Sequence, residues 1–150
     1  MRPWISSDSI GGLGSTGLFL LRLVMGAAFV IHGWSKIQNP LGWMGPGAAM
    51  PGALQALAAL AEFGGGMALI SGLLTRIASL GIGTVMVVAL ATVHLKLGQP
   101  FVSKSGGPSY ELPAVYLACA MLFLLLGPGH ISLDALLFRR SLGTKPHEAG

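Results

Sequence analysis

Charge is what this sequence has least of. Only 9% of its 150 residues are Asp, Glu, Lys or Arg, against roughly a quarter in an ordinary soluble domain. A water-soluble domain with a polar outer face is thereby excluded, and the chain reads as a membrane protein. Cysteine is nearly absent as well. Cys119 stands alone, which rules out an internal disulfide and thiol-pair redox chemistry, and within its apolar run it reads as a packing residue. With no Cys-x-x-Cys, haem or flavin motif, any electron carrier would have to come from a partner or a bound ligand. Basic runs are missing too: the net charge is +4, but the cations are scattered, so a nucleic-acid partner is not expected. "EFGGGMAL" lacks the strand-to-helix setting and the Lys-Ser/Thr ending of a phosphate loop. The opening "MRPWISSDSIGGLGSTG" has no apolar core, so the first apolar run reads as a retained span rather than a cleaved signal.

Hydrophobic residues make up 53% of the chain, gathered in four segments at about 17–37, 53–74, 77–97 and 109–126. None alternates with period 2. A backbone in hydrocarbon must satisfy its own polar groups, so segments of this kind form helices. The expected fold is all-α: one domain over residues 1–150, an antiparallel four-helix bundle spanning the membrane. A short interfacial helical turn over 132–140, N-capped by Ser132, and a tail from 141 follow the bundle. Ala61 with Gly65, and Ala68 with Gly72, put small residues at four-residue spacing for close helix packing or a homo-oligomer face. Arg2, Arg76, Arg139, Arg140 and Lys145 fall on one side of an even number of spans, and Lys36, Lys96 and Lys104 on the other. That imbalance places both termini in the cytoplasm, and a bacterial-type inner membrane is the expected location.

The polar residues that interrupt these segments are the candidates for function, because an ionisable group in hydrocarbon is expensive. Glu62 lies in the middle of the second segment. At about 1.5 Å per residue it sits some 12–14 Å below the outer surface, with His32 about 6 Å and Arg22 roughly 20 Å below it. His94 and Glu111 lie near the outer ends of the third and fourth segments. Arg22, Phe29, Gly33 and Lys36 share one stripe of the first helix, with His32 at its border. Four readings are open. Arg22, His32, Lys36, Glu62, His94 and Glu111 could bind a quinone and exchange protons with it, with His32, Glu62 and His94 as the catalytic candidates. His32, Glu62 and His94 could hold a divalent metal. The same groups could line a path for an ion or small molecule. Alternatively, Glu62 is neutralised by Arg22 or hydrogen-bonded to His32 and simply holds the bundle in register. On the inner side, Arg76 and Asp134 could form a structural ion pair, and with Arg139 they could recruit cytoplasmic partners to a non-enzymatic scaffold. Trp4, Trp34, Trp43 and Tyr110 read as interfacial anchors.

The segments "LLRLVMGAAFVIHGWSKI", "LAALAEFGGGMALISGLLTRIAS", "VMVVALATVHLKLG", "GGPSYELPAVYLA" and "GPGHISLDALL" together resemble the DoxX family of small four-helix membrane proteins, over about residues 18–138. The resemblance is carried by Arg22, His32-Gly33, Lys36, Glu62-x-Gly64-Gly65, Leu73-x-Thr75-Arg76, His94, Glu111 and Gly-Pro-Gly followed by Ser132-Leu133-Asp134. Where the family often has Arg or Lys after Gly-Pro-Gly, this chain has His130. The resemblance implies a subunit or partner of a membrane redox system, linked to quinone or to a soluble oxidoreductase, with lipid as its surroundings.

Overall fold

A computed structural model describes residues 11–141. Expectations for Arg2, Trp4, the tail beyond 141 and the side chains of Arg139 and Arg140 lie outside what is described. The architecture is all-helical: α1 (Gly12–Gln38), α2 (Gly52–Ser71), α3 (Thr75–Ala89) continued by a π-helical turn (Leu90–His94), α4 (Glu111–Leu126) and α5 (Leu133–Ser141). Three stretches, Gly12–Gln38, Gly52–Ser71 and Thr75–His94, are long and apolar enough to cross a membrane. The apolar α4 has 16 residues, about 24 Å at 1.5 Å per residue, less than the ~30 Å of a hydrocarbon core.

Consecutive helices run antiparallel and pack through small residues. Between α1 and α2 the backbones nearly touch. A Cβ on Gly33 would lie 2.5 Å from the Phe63 nitrogen, and one on Gly66 would lie 2.7 Å from the Val30 nitrogen and 2.8 Å from the Gly26 oxygen. Such approach maximises dispersion contact where lipid offers no hydrophobic drive. The buried positions of α1 (Ser15, Leu18, Arg22, Met25, Gly26, Phe29, Gly33) and of α2 (Gln55, Ala59, Glu62, Gly65, Gly66, Leu69) step by three and four. Each forms one stripe down its helix. Gly65 faces Ile82 of α3, and Gly83 of α3 faces Ala120 and Leu117 of α4. Large apolar side chains on the outer faces, such as Val24, Ile31, Leu60, Ile77 and Leu125, are exposed, as lipid-facing residues must be.

The helix limits differ from the hydropathy reading for local reasons. α2 ends at Ser71 rather than Leu74 because Gly72 takes the left-handed conformation (φ 69°). Its N–H and that of Leu73 bond back to the Leu69 and Ala68 oxygens, a Schellman stop. α1 starts earlier than expected, at Gly12, where buried Ser15 accepts a hydrogen bond from the His130 N–H (3.2 Å).

At this turn end the chain is tied together by Asp134. Its two carboxylate oxygens accept from the N–H groups of Leu74 (2.8 Å) and Thr75 (3.0 Å), and its own N–H donates to the Gly72 oxygen (2.9 Å). An acidic side chain from α5 thus caps the start of α3, where orphan donors and the helix dipole favour negative charge. It also holds Leu74 at φ 52°, a left-handed conformation unusual for a residue with a Cβ. Arg76 donates to the Leu125 oxygen at 3.4 Å. The expected Arg76–Asp134 pair is therefore replaced by three side chain-to-backbone contacts, because both groups meet helix ends whose orphan donors and acceptors need partners. Ser132 accepts from the Ala135 N–H (3.1 Å), the geometry of an N-cap on α5.

Two substitutions test these contacts by thermal unfolding in detergent. Gly33→Ala should destabilise by about 1–3 kcal/mol, as overpacking does, whereas Gly17→Ala, with open space around it, should not. Asp134→Ala should cost about 1–2 kcal/mol, the usual loss of a helix cap, with Asp134→Asn in between.

Candidate functional site: a polar-lined cleft between α2 and α3

α2 and α3 meet closely at the turn end, where Gly65 touches Ile82, and a Cβ on Gly81 would stand 3.4 Å from that of Ala61. Farther from the turn they part. The buried residues of α3 end at Met86, and none of the π-turn residues Leu90–His94 is buried. The space between encloses a cavity of about 680 Å³. Ala58, Ala61, Gly81, Val85 and Met86 form its sides, and exposed Leu54 and Leu57 on α2 and Val88 and Val93 on α3 lie along its edge. Phe29 of α1 and Tyr116 of α4 close the flanks, with their rings 5.0 Å apart edge to face.

The roof comes from the connection between α1 and α2. Gln55, buried at the start of α2, donates from Nε2 to the Met50 oxygen (2.9 Å) and accepts at Oε1 from the Met44 N–H (3.0 Å). The Trp43 indole N–H donates to the Gln55 carbonyl (2.9 Å). These bonds bring Trp43, Met44 and Met50 into the cavity lining.

Two imidazoles, an ammonium and a carboxylate stand in this mainly apolar wall, from His32, His94, Lys36 and Glu62, together with the hydroxyls of Thr84, Thr92 and Tyr116. Glu62 is almost wholly buried, at 3% exposure, and its two oxygens each lie 2.6 Å from the Lys36 ammonium. The same ammonium sits 4.6 Å from the centre of the Trp43 ring, a cation–π contact. A lysine carries three N–H donors. Two go to the carboxylate and one is left. Neutralising the pair internally is what makes a buried carboxylate tolerable in a low-dielectric bundle, since either charge alone would face the full desolvation penalty.

His94 is held differently. The π turn closes with the Leu95 N–H donating to the Leu90 oxygen (2.9 Å), and the Gln99 N–H donates to the His94 oxygen (3.0 Å). Gln99 Oε1 lies 2.6 Å from His94 Nδ1. Such turns inside α-helices are frequent at functional sites. His32 lies across the cavity lining, its ring 6.4 Å from both Phe29 and Tyr116.

The structure does not bring every candidate here. Arg22 is fully buried but belongs to the turn end. It donates through Nη2 to the Ile131 oxygen, packs against Gly72 and lies 5.7 Å from the Phe19 ring. Neither Arg22 nor His32 is the partner of Glu62; Lys36 is, because its side chain reaches the same depth from the facing stripe of α1. Glu111 is exposed at the start of α4, outside the lining, although its neighbours Leu112 and Pro113 belong to it. Among the described residues no three of His, Cys, Asp and Glu come together as a metal-ligand set, so His32, Glu62 and His94 share a cavity without sharing a coordination sphere. Trp43, expected as an anchor, instead covers Lys36. Gln55, Gln99 and Tyr116 were not singled out beforehand. For Gln55 the signal was present: a polar residue near the start of an apolar segment, the criterion that picked out Glu62.

Two curated relatives resemble the chain. It is 29% identical to an Escherichia coli (strain K12) protein named "Inner membrane protein YqjF" over 130 residues, covering 85% of this chain and 97% of that one. It is also 29% identical to a Bacillus subtilis (strain 168) protein named "Putative oxidoreductase CatD" over 125 residues, covering 82% and 88%. No solved structure matches. The DoxX family profile matches residues 17–95, the stretch that supplies most of α1, α2, α3, the π turn and the side chains of His32, Lys36, Glu62 and His94, and the chain is a membrane protein of the DoxX family.

Proposed function

We propose that the cleft binds a lipid-soluble quinone, and that the protein is the membrane subunit of a redox system whose electron carriers are this ligand and a partner oxidoreductase. The observation that carries the reading is the Lys36–Glu62 pair set in an apolar cavity whose edge residues face the lipid. A volume of about 680 Å³ falls within the ~300–1,000 Å³ typical of small-molecule pockets, which combine apolar walls with a few placed polar groups. Aromatic faces from Phe29, Trp43 and Tyr116 suit a flat ring, and the third Lys36 proton suits a carbonyl oxygen. A ring that carries both features and travels in the bilayer is a quinone. When bound, the quinone supplies the electron transfer; the chain's own residues bind it, orient it and exclude water. The name of the Bacillus relative is in keeping with a redox role.

In this reading α4 makes a fourth crossing, and the termini face the cytoplasm by the Lys and Arg count. The scaffold alternative draws no support from Asp134, whose carboxylate is occupied by the α2–α3 turn.

Two measurements test the proposal. The protein purified with its native lipid should retain extractable quinone, and Lys36→Met should weaken binding roughly tenfold or more, the scale of a lost hydrogen bond to a charged group. A preparation that neither retains quinone nor takes it up on reconstitution would refute the reading. Stability separates structure from binding: Lys36→Met alone should destabilise by about 3–5 kcal/mol by stranding Glu62, and Lys36→Met with Glu62→Gln should recover most of that loss.

A further inference from the structure

We infer that Gln99 fixes His94 as a hydrogen-bond acceptor toward the cleft, so that the site prefers the hydroxyl-bearing, reduced form of its ligand over the carbonyl form. The inference rests on the quinone reading above and adds to it a positioning residue and a direction of selectivity.

The Gln99 atom facing His94 Nδ1, 2.6 Å away, is its amide oxygen Oε1, which can only accept. Nδ1 therefore carries the proton. In a neutral imidazole only one nitrogen is protonated, so Nε2 is left with a bare lone pair and can accept but not donate. The backbone reinforces the pairing. The Gln99 N–H bonds to the His94 oxygen, so main chain and side chain of one residue both clasp the end of the π turn. That turn extends α3 just where its residues become part of the cavity wall, and His94 is the last of them.

Neither member of the ion pair discriminates in this way. Lys36 donates its remaining proton equally well to a carbonyl oxygen or a hydroxyl oxygen, since both accept. Glu62 has both oxygens engaged by Lys36. An Nε2 lone pair is different: a hydroxyl proton satisfies it, whereas a carbonyl oxygen placed there would set two lone pairs against each other. The preference expected from one neutral hydrogen bond made in one form and not in the other is roughly three- to tenfold.

The test uses the full-length protein in mild detergent with two probes, decylubiquinol and decylubiquinone, titrated anaerobically in mildly alkaline buffer. Wild type should bind the quinol roughly three- to tenfold more tightly. Gln99→Leu, which frees the ring to carry its proton on Nε2, should bring the two affinities to parity. Gln99→Glu, which keeps an acceptor on Nδ1, should retain the preference. Lys36→Met should weaken both probes alike. Nitrogen NMR on isotope-labelled histidine, with the His94 signal assigned by its loss in His94→Gln, reads the tautomer without any ligand. A proton on Nδ1 in wild type supports the inference. A proton on Nε2, equal binding of both probes by wild type, or a quinol preference unchanged in Gln99→Leu would overturn it. Binding of neither probe would instead sink the quinone reading itself, whatever the tautomer. Should Gln99→Leu fail to fold, the wild-type spectrum and Gln99→Glu still decide.

Discussion

A carboxylate packed among helices in a membrane must be neutralised within the bundle, and Lys36 does this for Glu62 from the neighbouring helix. Everything about the cleft follows from that pair. The contact needs α1 and α2 close together, which the glycine-lined seam at Gly26, Gly33 and Gly66 permits. It also needs α1 to remain helical as far as Lys36, one turn beyond the last buried glycine. The desolvation penalty of two isolated charges is large, so the pair constrains helix register more sharply than apolar packing could. The same pair then leaves one free donor in a mainly apolar wall, which is what a site for an amphipathic ligand requires.

The two ends of the molecule divide the work. At the turn end, Asp134, Gly72, Arg22 and the carbonyl of Ile131 tie α1, the α2–α3 turn and α5 into one knot of hydrogen bonds and charge. Two Arg22 nitrogens, Nε and Nη1, have no hydrogen-bond partner among the described residues, so the Ile131 carbonyl, the Phe19 face and attraction to Asp134 carry the compensation. That knot holds α2 and α3 together at one end only. At the other end the helices diverge, and the cleft opens where no short turn constrains them. Rigidity at the base and space at the mouth are consequences of the same uneven loop lengths: a tight turn between α2 and α3, and long Gly- and Pro-containing connections elsewhere.

Particular residues show how far the sequence could be read. The apolar segments announced helices because a backbone in hydrocarbon has no other way to satisfy itself, and Glu62 announced a buried polar centre because nothing else explains a carboxylate there. Depth counting turned His32, Glu62, His94 and Glu111 toward one leaflet; the first three line one cavity with Lys36, whereas Glu111 stays outside it. Sequence position failed to give the partner of Arg22, which lies toward the deep end where counting put it but meets Ile131 and Asp134 rather than Glu62. It also failed for Arg76 and Asp134, which match in charge and side but meet backbone groups that claim them first. Nothing in the spacing signalled the π turn, since a one-residue change in hydrogen-bond register leaves hydropathy untouched.

Composition and periodicity alone determined that this chain is helical, membrane-embedded and built around a small set of buried ionisable groups, because those properties depend on the free energy of residues in lipid, one at a time. Which charges meet was decided only by tertiary structure. Pairing depends on helix rotation and on side-chain reach across an interface, and a one-dimensional pattern specifies neither. Lys36 rather than Arg22 at Glu62, Asp134 on the start of α3, and Gln99 on His94 are all outcomes of that geometry.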